Sequence, residues 1–202
     1  MPRLVQAIRF ARTPVLLLAL GLLVSGCGIN TIPTLEEQAK AKWSDVQNQY
    51  QRRADLIPNL VETVKGYATQ EREVLTQVIE ARARATQVKV DASTVTDPNK
   101  FKEYQDAQNA LTGALGRLLV TVERYPDLKS NQNFLALQSQ LEGTENRIAV
   151  ARRDYIEAVR AYTTELKTVP GVFWASTLYR SYKPMESFTT TPENQRAPTV
   201  KF

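Results

Sequence analysis

Apolar side chains recur at alternating steps of three and four residues along most of this chain, and that period constrains its fold more than any other feature. One run is Trp43, Val46, Tyr50, Ile57, Leu60, Val61, Val64, Tyr67, Val74, Leu75, Val78 and Ile79; a second is Phe101, Tyr104, Gln108, Leu111, Leu115, Leu118, Val122 and Tyr125. A third runs Phe134, Leu137, Leu141, Thr144, Ile148, Ala151, Tyr155, Val159, Tyr162, Leu166 and Val169, about 35 residues or roughly 50 Å of helix at ~1.5 Å per residue. Stripes of that length cannot stay in water and must seal against one another. The expected fold is all-α, an antiparallel up-and-down bundle of three to four long helices crossing near 20°. No stretch alternates apolar and polar residues, so the terminal Phe202 does not close a membrane β-barrel, and 8 Gly in 202 residues argue against a turn-rich β fold.

Punctuation supports the same reading. Thr34 with Glu37 forms a capping-box pattern that would start the first helix. Pro58 interrupts the first stripe: either Asp55 caps a new helix there, or one helix runs through with a kink, and the unbroken register favours the kink. Gly66 offers a second break. Val90 to Thr96 reads as a loop, Asp97-Pro98 as a cap with a first-turn proline, Tyr125-Pro126 as a helix end, Ser130 or Asn131 as the next cap, and Pro170-Gly171 as the final stop.

The first residues read as an address. Arg3, Arg9 and Arg12 precede an apolar run from Val15 to Val24, too short for the ~20 residues that span a bilayer, and Val24-Ser25-Gly26-Cys27 resembles a bacterial lipobox. In such signals the cysteine thiol takes a diacylglyceryl group and the peptide bond between Gly26 and Cys27 is cut. The alternative is an uncleaved signal anchor with an incidental cysteine. Cys27 is the one cysteine in the chain and stands where the lipid chemistry needs it. Residues 1–26 are therefore expected to be a lipoprotein signal peptide, 27–33 a lipidated tether, 34–188 the bundle and 189–202 a mobile tail rich in Pro and Thr. Without 1–26 the net charge falls from +5 to +2, which removes most of the case for a nucleic-acid partner. Gly28 is not the Asp that retains lipoproteins in the inner membrane, so the expected location is the outer membrane, facing the periplasm.

Composition narrows the chemistry. With no histidine, neither a Ser-His-Asp nor a Cys-His nucleophile can be assembled, and a lone cysteine makes neither a disulfide nor a zinc cluster.

Several motifs resemble the LemA family: Arg53-Ala54-Asp55-Leu56-Ile57-Pro58-Asn59-Leu60-Val61, Val64-Lys65-Gly66-Tyr67-Ala68 with Glu71, Glu123-Arg124-Tyr125-Pro126-Asp127-Leu128-Lys129, Phe134-Leu135-Ala136-Leu137-Gln138, and the run from Leu141 to Arg152. The resemblance extends from about Trp43 to Pro170, plus a Phe-ended tail. It implies a membrane anchor, an extracytoplasmic helical bundle, no established catalytic residues and a membrane-organising or partner-binding role. Where the family usually carries Tyr-Asn pairs, this chain has Tyr155-Ile156 and Tyr162-Thr163.

Each reactive group also has a structural reading. Glu62, Glu71, Glu123, Glu142 and Glu145 invite a carboxylate metal site, but di-iron bundles require Glu-x-x-His pairs. Arg53, Asp55, Glu71, Glu145 and Arg152 are expected to form buried or half-buried ion pairs, with Asn59 and Asn146 as interhelical hydrogen-bond partners and the tyrosines of the stripes in the core. After the last long helix, Phe173, Trp174, Tyr179, Tyr182 and Phe188 suit either a short helix packed on the bundle or a patch for a partner or the lipid interface, with Trp174, Tyr179, Arg180, Tyr182 and Lys183 as its core. The expected activity is non-catalytic: a membrane-anchored scaffold for envelope protein partners, without metal or cofactor beyond the covalent lipid. Self-association is a further expectation, because such stripes also seal between subunits. The alternatives are a carrier of a small apolar ligand or lipid within the bundle and an unrecognised hydrolase.

Overall fold

The computed structural model describes residues 28–189, apart from 69, 89 and 92; the lipobox at Gly26 and Cys27, the signal before it and the tail from 190 onward lie outside the described residues. Six helices follow in order, α1 (Thr31–Tyr67), α2 (Arg72–Gln87), α3 (Pro98–Val122), α4 (Pro126–Lys129), α5 (Gln132–Lys167) and α6 (Gly171–Thr177), with no strand among the described residues. The expected all-α bundle is the fold observed.

The helix ends obey local chemistry at two of the three expected caps. Asp97 Oδ1 accepts from the backbone N–H of Asn99 at 2.9 Å and Lys100 at 3.3 Å, with Pro98 in the first turn. Asn131, not Ser130, caps α5 through a 3.0 Å bond from Phe134 N–H. The box at Thr34 does not form. Helix α1 begins three residues earlier, at Thr31, so Thr34 N–H already bonds to Asn30 O and Glu37 pairs with Lys40. Packing explains the early start: Ile32 is fully buried, so residues 31–33, expected to precede the bundle, belong to its first helix. Pro33 stands in the first turn, where a missing N–H costs nothing.

Pro58 lies within the continuous α1, which settles the first-helix alternatives in favour of one helix through the proline. A proline there leaves the carbonyl four residues back without its helical donor. That carbonyl belongs to Ala54, and Arg82 of α2 supplies the missing bond from Nε at 2.7 Å. Helix α1 ends just after Gly66, and α2 is a separate helix.

Neighbouring long helices run antiparallel. Residue 54 of α1 meets 82 of α2, residue 85 of α2 meets 108 of α3, and residue 53 of α1 meets 145 of α5. Two cores result. The distal core joins Leu60, Val64, Val78, Leu118, Leu128 and Phe134, where all four long helices meet. The proximal core is aromatic: Trp43 lies within 5.2–6.1 Å of the Tyr155, Tyr104, Phe101 and Phe188 rings. Beyond the α2–α3 loop only α1 and α5 continue, over about 12 residues or ~18 Å of α1. The segment after α6 takes the place of the missing helices, burying Met185 and Phe188. Tyr155 and Tyr162 hydroxyls donate to its carbonyls at Glu186 (2.7 Å) and Lys183 (3.0 Å), and Glu186 N–H bonds Val95 O. Gly171 permits the turn into α6, since a Cβ there would lie 2.1 Å from the Glu165 carbonyl oxygen.

Three stripe residues are not in the core: Tyr67 and Ile79 are about half exposed, and Val169, beyond the end of α5, is 85% exposed. Tyr67 instead accepts a 2.8 Å bond from Asn131 Nδ2.

The Pro58–Arg82 arrangement makes a direct prediction. Arg82→Ala should lower stability by about 1 kcal/mol by orphaning the Ala54 carbonyl. In a Pro58→Ala background, where residue 58 regains its own N–H, the same change should cost much less. Urea unfolding of the four proteins forms the double-mutant cycle that reads this coupling.

Candidate functional site

The most concentrated polar chemistry among the described residues is a layer between the two cores, centred on Arg53. Alanine and large apolar residues surround it on α1, and its side chain is 1% exposed. A buried guanidinium is tolerable only when its donors are met. Here Nη1 donates to Thr112 Oγ1 (2.8 Å) and Glu145 Oε1 (3.0 Å), and Nη2 donates to Gln108 Oε1 (2.6 Å) and Gln108 O (3.2 Å). The cation also lies 5.0 Å from the Tyr50 ring centroid. Gln108, buried in turn, donates from its Nε2 to Ala85 O at 3.3 Å. Through these bonds Arg53 ties α1 to α3 and α5, and Gln108 extends the tie to α2. Of the guanidinium nitrogens, Nε alone lacks an acceptor among the described residues.

Of the residues expected to form ion pairs, the structure brings Arg53 and Glu145 together, with the Glu145 side chain 37% exposed. Glu71 is also paired, at the distal end: its Oε1 accepts from Arg124 Nη2 at 3.0 Å and from the Tyr125 hydroxyl at 2.8 Å. That link joins the α1–α2 turn to the turn before α4. Asp55 is exposed and accepts from Gln51 of its own helix, at 2.7 Å, with no ion pair among the described residues. Asn59 and Asn146 are exposed on α1 and α5 and make no interhelical side-chain hydrogen bond among the described residues. Rotation of each helix about its axis turns these three residues outward. Arg152 makes no ion pair among the described residues and instead lays its guanidinium 4.4 Å from the Phe188 ring centroid, pinning the return segment.

Sequence reasoning missed Gln108, Thr112 and Arg82. Gln108 carried a readable signal, a polar residue on an otherwise apolar stripe, whereas Thr112 and Arg82 carried none. The substitutions at the Tyr-Asn positions also find their places: Ile156 packs half-buried against the aromatic core, and Thr163 Oγ1 is buried without a partner among the described residues.

The patch foreseen after α5 is differently composed. Trp174, Tyr179 and Tyr182 are half-buried against the proximal core, while Arg180 and Lys183 are exposed. The apolar side chains facing water there are Val169, Val172, Phe173 and Leu178.

Among the described residues no group of three or more His, Cys, Asp or Glu side chains is placed to hold a metal ion. The cleft beside the Arg53 layer, between Tyr50, Ala85, Tyr104 and Gln108, measures about 130 Å³. That is below the ~150 Å³ that accommodates one benzene in an apolar cavity. Larger hollows are open surface grooves, such as one of about 570 Å³ between α3 and α5 edged by Thr112, Glu145 and Asn146. No described helix is long and apolar enough to cross a membrane.

These features define a helical bundle whose central buried guanidinium joins its own helices. The chain belongs to the LemA family, which it matches over residues 42–202. It is 26% identical over 179 residues to magnetosome protein MamQ 1 of Paramagnetospirillum magneticum, an alignment covering 81% of this chain and 65% of that one. It is 25% identical, with the same coverage, to magnetosome protein MamQ of Magnetospirillum gryphiswaldense. Protein LemA of Metamycoplasma hominis is 24% identical over 131 residues, 65% of this chain and 54% of its own. The chain thus spans somewhat less than two thirds of the length of these relatives.

Two outcomes follow from the polar layer and the buried tyrosines. Arg53→Lys should cost about 2–4 kcal/mol, because one ammonium cannot reach Gln108, Thr112 and Glu145 together, whereas Glu145→Gln should cost only about 1 kcal/mol; urea midpoints check both. Burial holds the hydroxyls of Tyr104, Tyr155 and Tyr162 neutral well above the ordinary value of 10.0. The unfolded chain loses these protons first, so their contribution is complete below about pH 10 and declines as pH rises beyond it. Alkaline titration of the unfolding free energy should show that fall, shallower in Tyr155→Phe.

Proposed function

We propose that this protein is a membrane-anchored, non-catalytic lipoprotein that serves as a scaffold for protein partners at the cell envelope. The observation that carries this reading is the engagement of both Nη nitrogens of the buried Arg53 by Gln108, Thr112 and Glu145. Substrate chemistry needs polar groups free to change partners, and these are already engaged in holding helices in register. What the bundle offers instead is a rigid exterior about 55 Å long, from the 37 residues of α1 at ~1.5 Å each.

Anchoring is assigned to Cys27, with the signal peptide removed after Gly26 and the mature chain held in the outer membrane facing the periplasm. Several acyl chains on one residue give stable attachment, since two suffice. The covalent lipid is the only prosthetic group in this reading, and self-association belongs to it as one form of scaffolding. The names of the MamQ relatives, proteins of the magnetosome, agree with a role at a membrane. The carrier alternative would need a chamber larger than the polar 130 Å³ cleft.

Crosslinking in intact host cells followed by mass spectrometry tests the proposal, with Cys27→Ser as the mislocalised control. A small set of protein partners that disappears in the control is the expected result. Absence of specific partners, together with a co-purifying lipid, would favour the carrier.

A further inference from the structure

The corner formed by the end of α5 and by α6 carries the densest exposed apolar surface of the proximal end. Val169 is 85% exposed, Val172 42%, Phe173 57% and Leu178 59%. Val169 lies in the turn just before α6, and Val172 and Phe173 are neighbours in the first turn of α6, while Trp174 turns inward with its ring edge-on to Phe173 at 5.0 Å. Large apolar side chains held open to water side by side are costly and mark a surface that is covered in use.

Three observations indicate what covers this one. First, Gly28 is seated against the same corner: a Cβ on it would lie 3.3 Å from Pro170 Cγ and 4.0 Å from Trp174 Nε1. Cys27 is one peptide bond away, about 3.8 Å between Cα atoms, so a chain tethered there reaches the bilayer at this corner. Second, the exposed charge of this segment is basic. Lys167, Arg180 and Lys183 are exposed around the patch, Glu165, the one acid between residues 165 and 183, is half-buried, and Glu36 of neighbouring α1 is engaged by Lys40. Arg180 is held in place by a 2.7 Å bond from Nε to Ser176 O, at the end of α6. Third, the corner lies at the tip of the rod, beyond the level at which α2 and α3 stop, where no other described element shields it.

We infer that Val169, Val172, Phe173 and Leu178, with Arg180 and Lys183, form an interfacial wedge that enters an anionic lipid surface beside the anchor and sets the bundle upright on the membrane. This rests on the tethered reading above and adds a second, non-covalent contact to it. One attachment point alone leaves the rod free to swivel; a wedge a few ångströms away removes that freedom and fixes which face of the bundle a partner meets. Apolar side chains flanked by basic ones match the interface, where acyl chains and anionic headgroups lie at neighbouring depths.

Bromine quenching tests it in the full chain, purified from membranes and reconstituted into vesicles of brominated phosphatidylcholine with or without phosphatidylglycerol. In a Trp43→Phe, Trp174→Phe background, which removes the native indoles, Phe173→Trp places a reporter in the wedge, and Val120→Trp places one at an exposed position near the other end. The expected result is several-fold stronger quenching at 173 than at 120, increased by phosphatidylglycerol and reduced when Arg180→Glu and Lys183→Glu are combined with Phe173→Trp. Equal quenching at the two positions overturns the wedge. A blue-shifted but unquenched signal from the Phe173→Trp variant also overturns it, showing that protein, either a second copy or a partner, covers the patch. A chain that does not enter vesicles removes the tethered reading, and the wedge falls with it.

Discussion

A guanidinium at the centre of a helical bundle is the constraint on which the rest of this structure depends. Arg53 cannot be buried alone, and its planar fork fixes where acceptors must stand. Thr112 and Glu145 meet one nitrogen while Gln108 meets the other, so α3 and α5 can neither slide nor rotate freely against α1. Apolar stripes seal at many registers one turn apart, but this layer accepts one. It also divides the interior into a distal aliphatic core and a proximal aromatic one, each packed by different residue types.

The same logic, a polar group left over by one element and met by another, recurs along the rod. Pro58 frees the Ala54 carbonyl and Arg82 takes it, which positions α2 on α1. At the distal end Glu71 collects Arg124 and Tyr125, closing one turn against another. At the proximal end, where α2 and α3 have stopped, the Tyr155 and Tyr162 hydroxyls bind carbonyls of the return segment as a sheet neighbour would. Irregular backbone is thereby given hydrogen-bond partners without forming secondary structure.

The proximal end is thus built differently from the rest. It holds the point where the chain leaves toward its first residues, the turn enforced by Gly171, the aromatic cluster and the basic, apolar corner. In the scaffold proposed above, the face presented to a partner would be decided at this foot.

Much of this was legible in the residues themselves. Helical period, the caps at Asp97 and Asn131, the end at Tyr125-Pro126 and the stop at Pro170 are local, set by backbone geometry and near neighbours, so the all-α bundle followed from them. Arg53 and Glu145 were legible as ion-pair candidates, but not as each other's partner. What tertiary structure decided was which face each helix turns inward. That rotation placed Asp55, Asn59 and Asn146 in water, drew Gln108 and Thr112 to Arg53, and exposed Tyr67 and Ile79 on stripes whose period put them in the core. A helical period specifies a face to within about a third of the circumference; side chains at its edge are assigned only when a second helix arrives, because burial is a property of the pair.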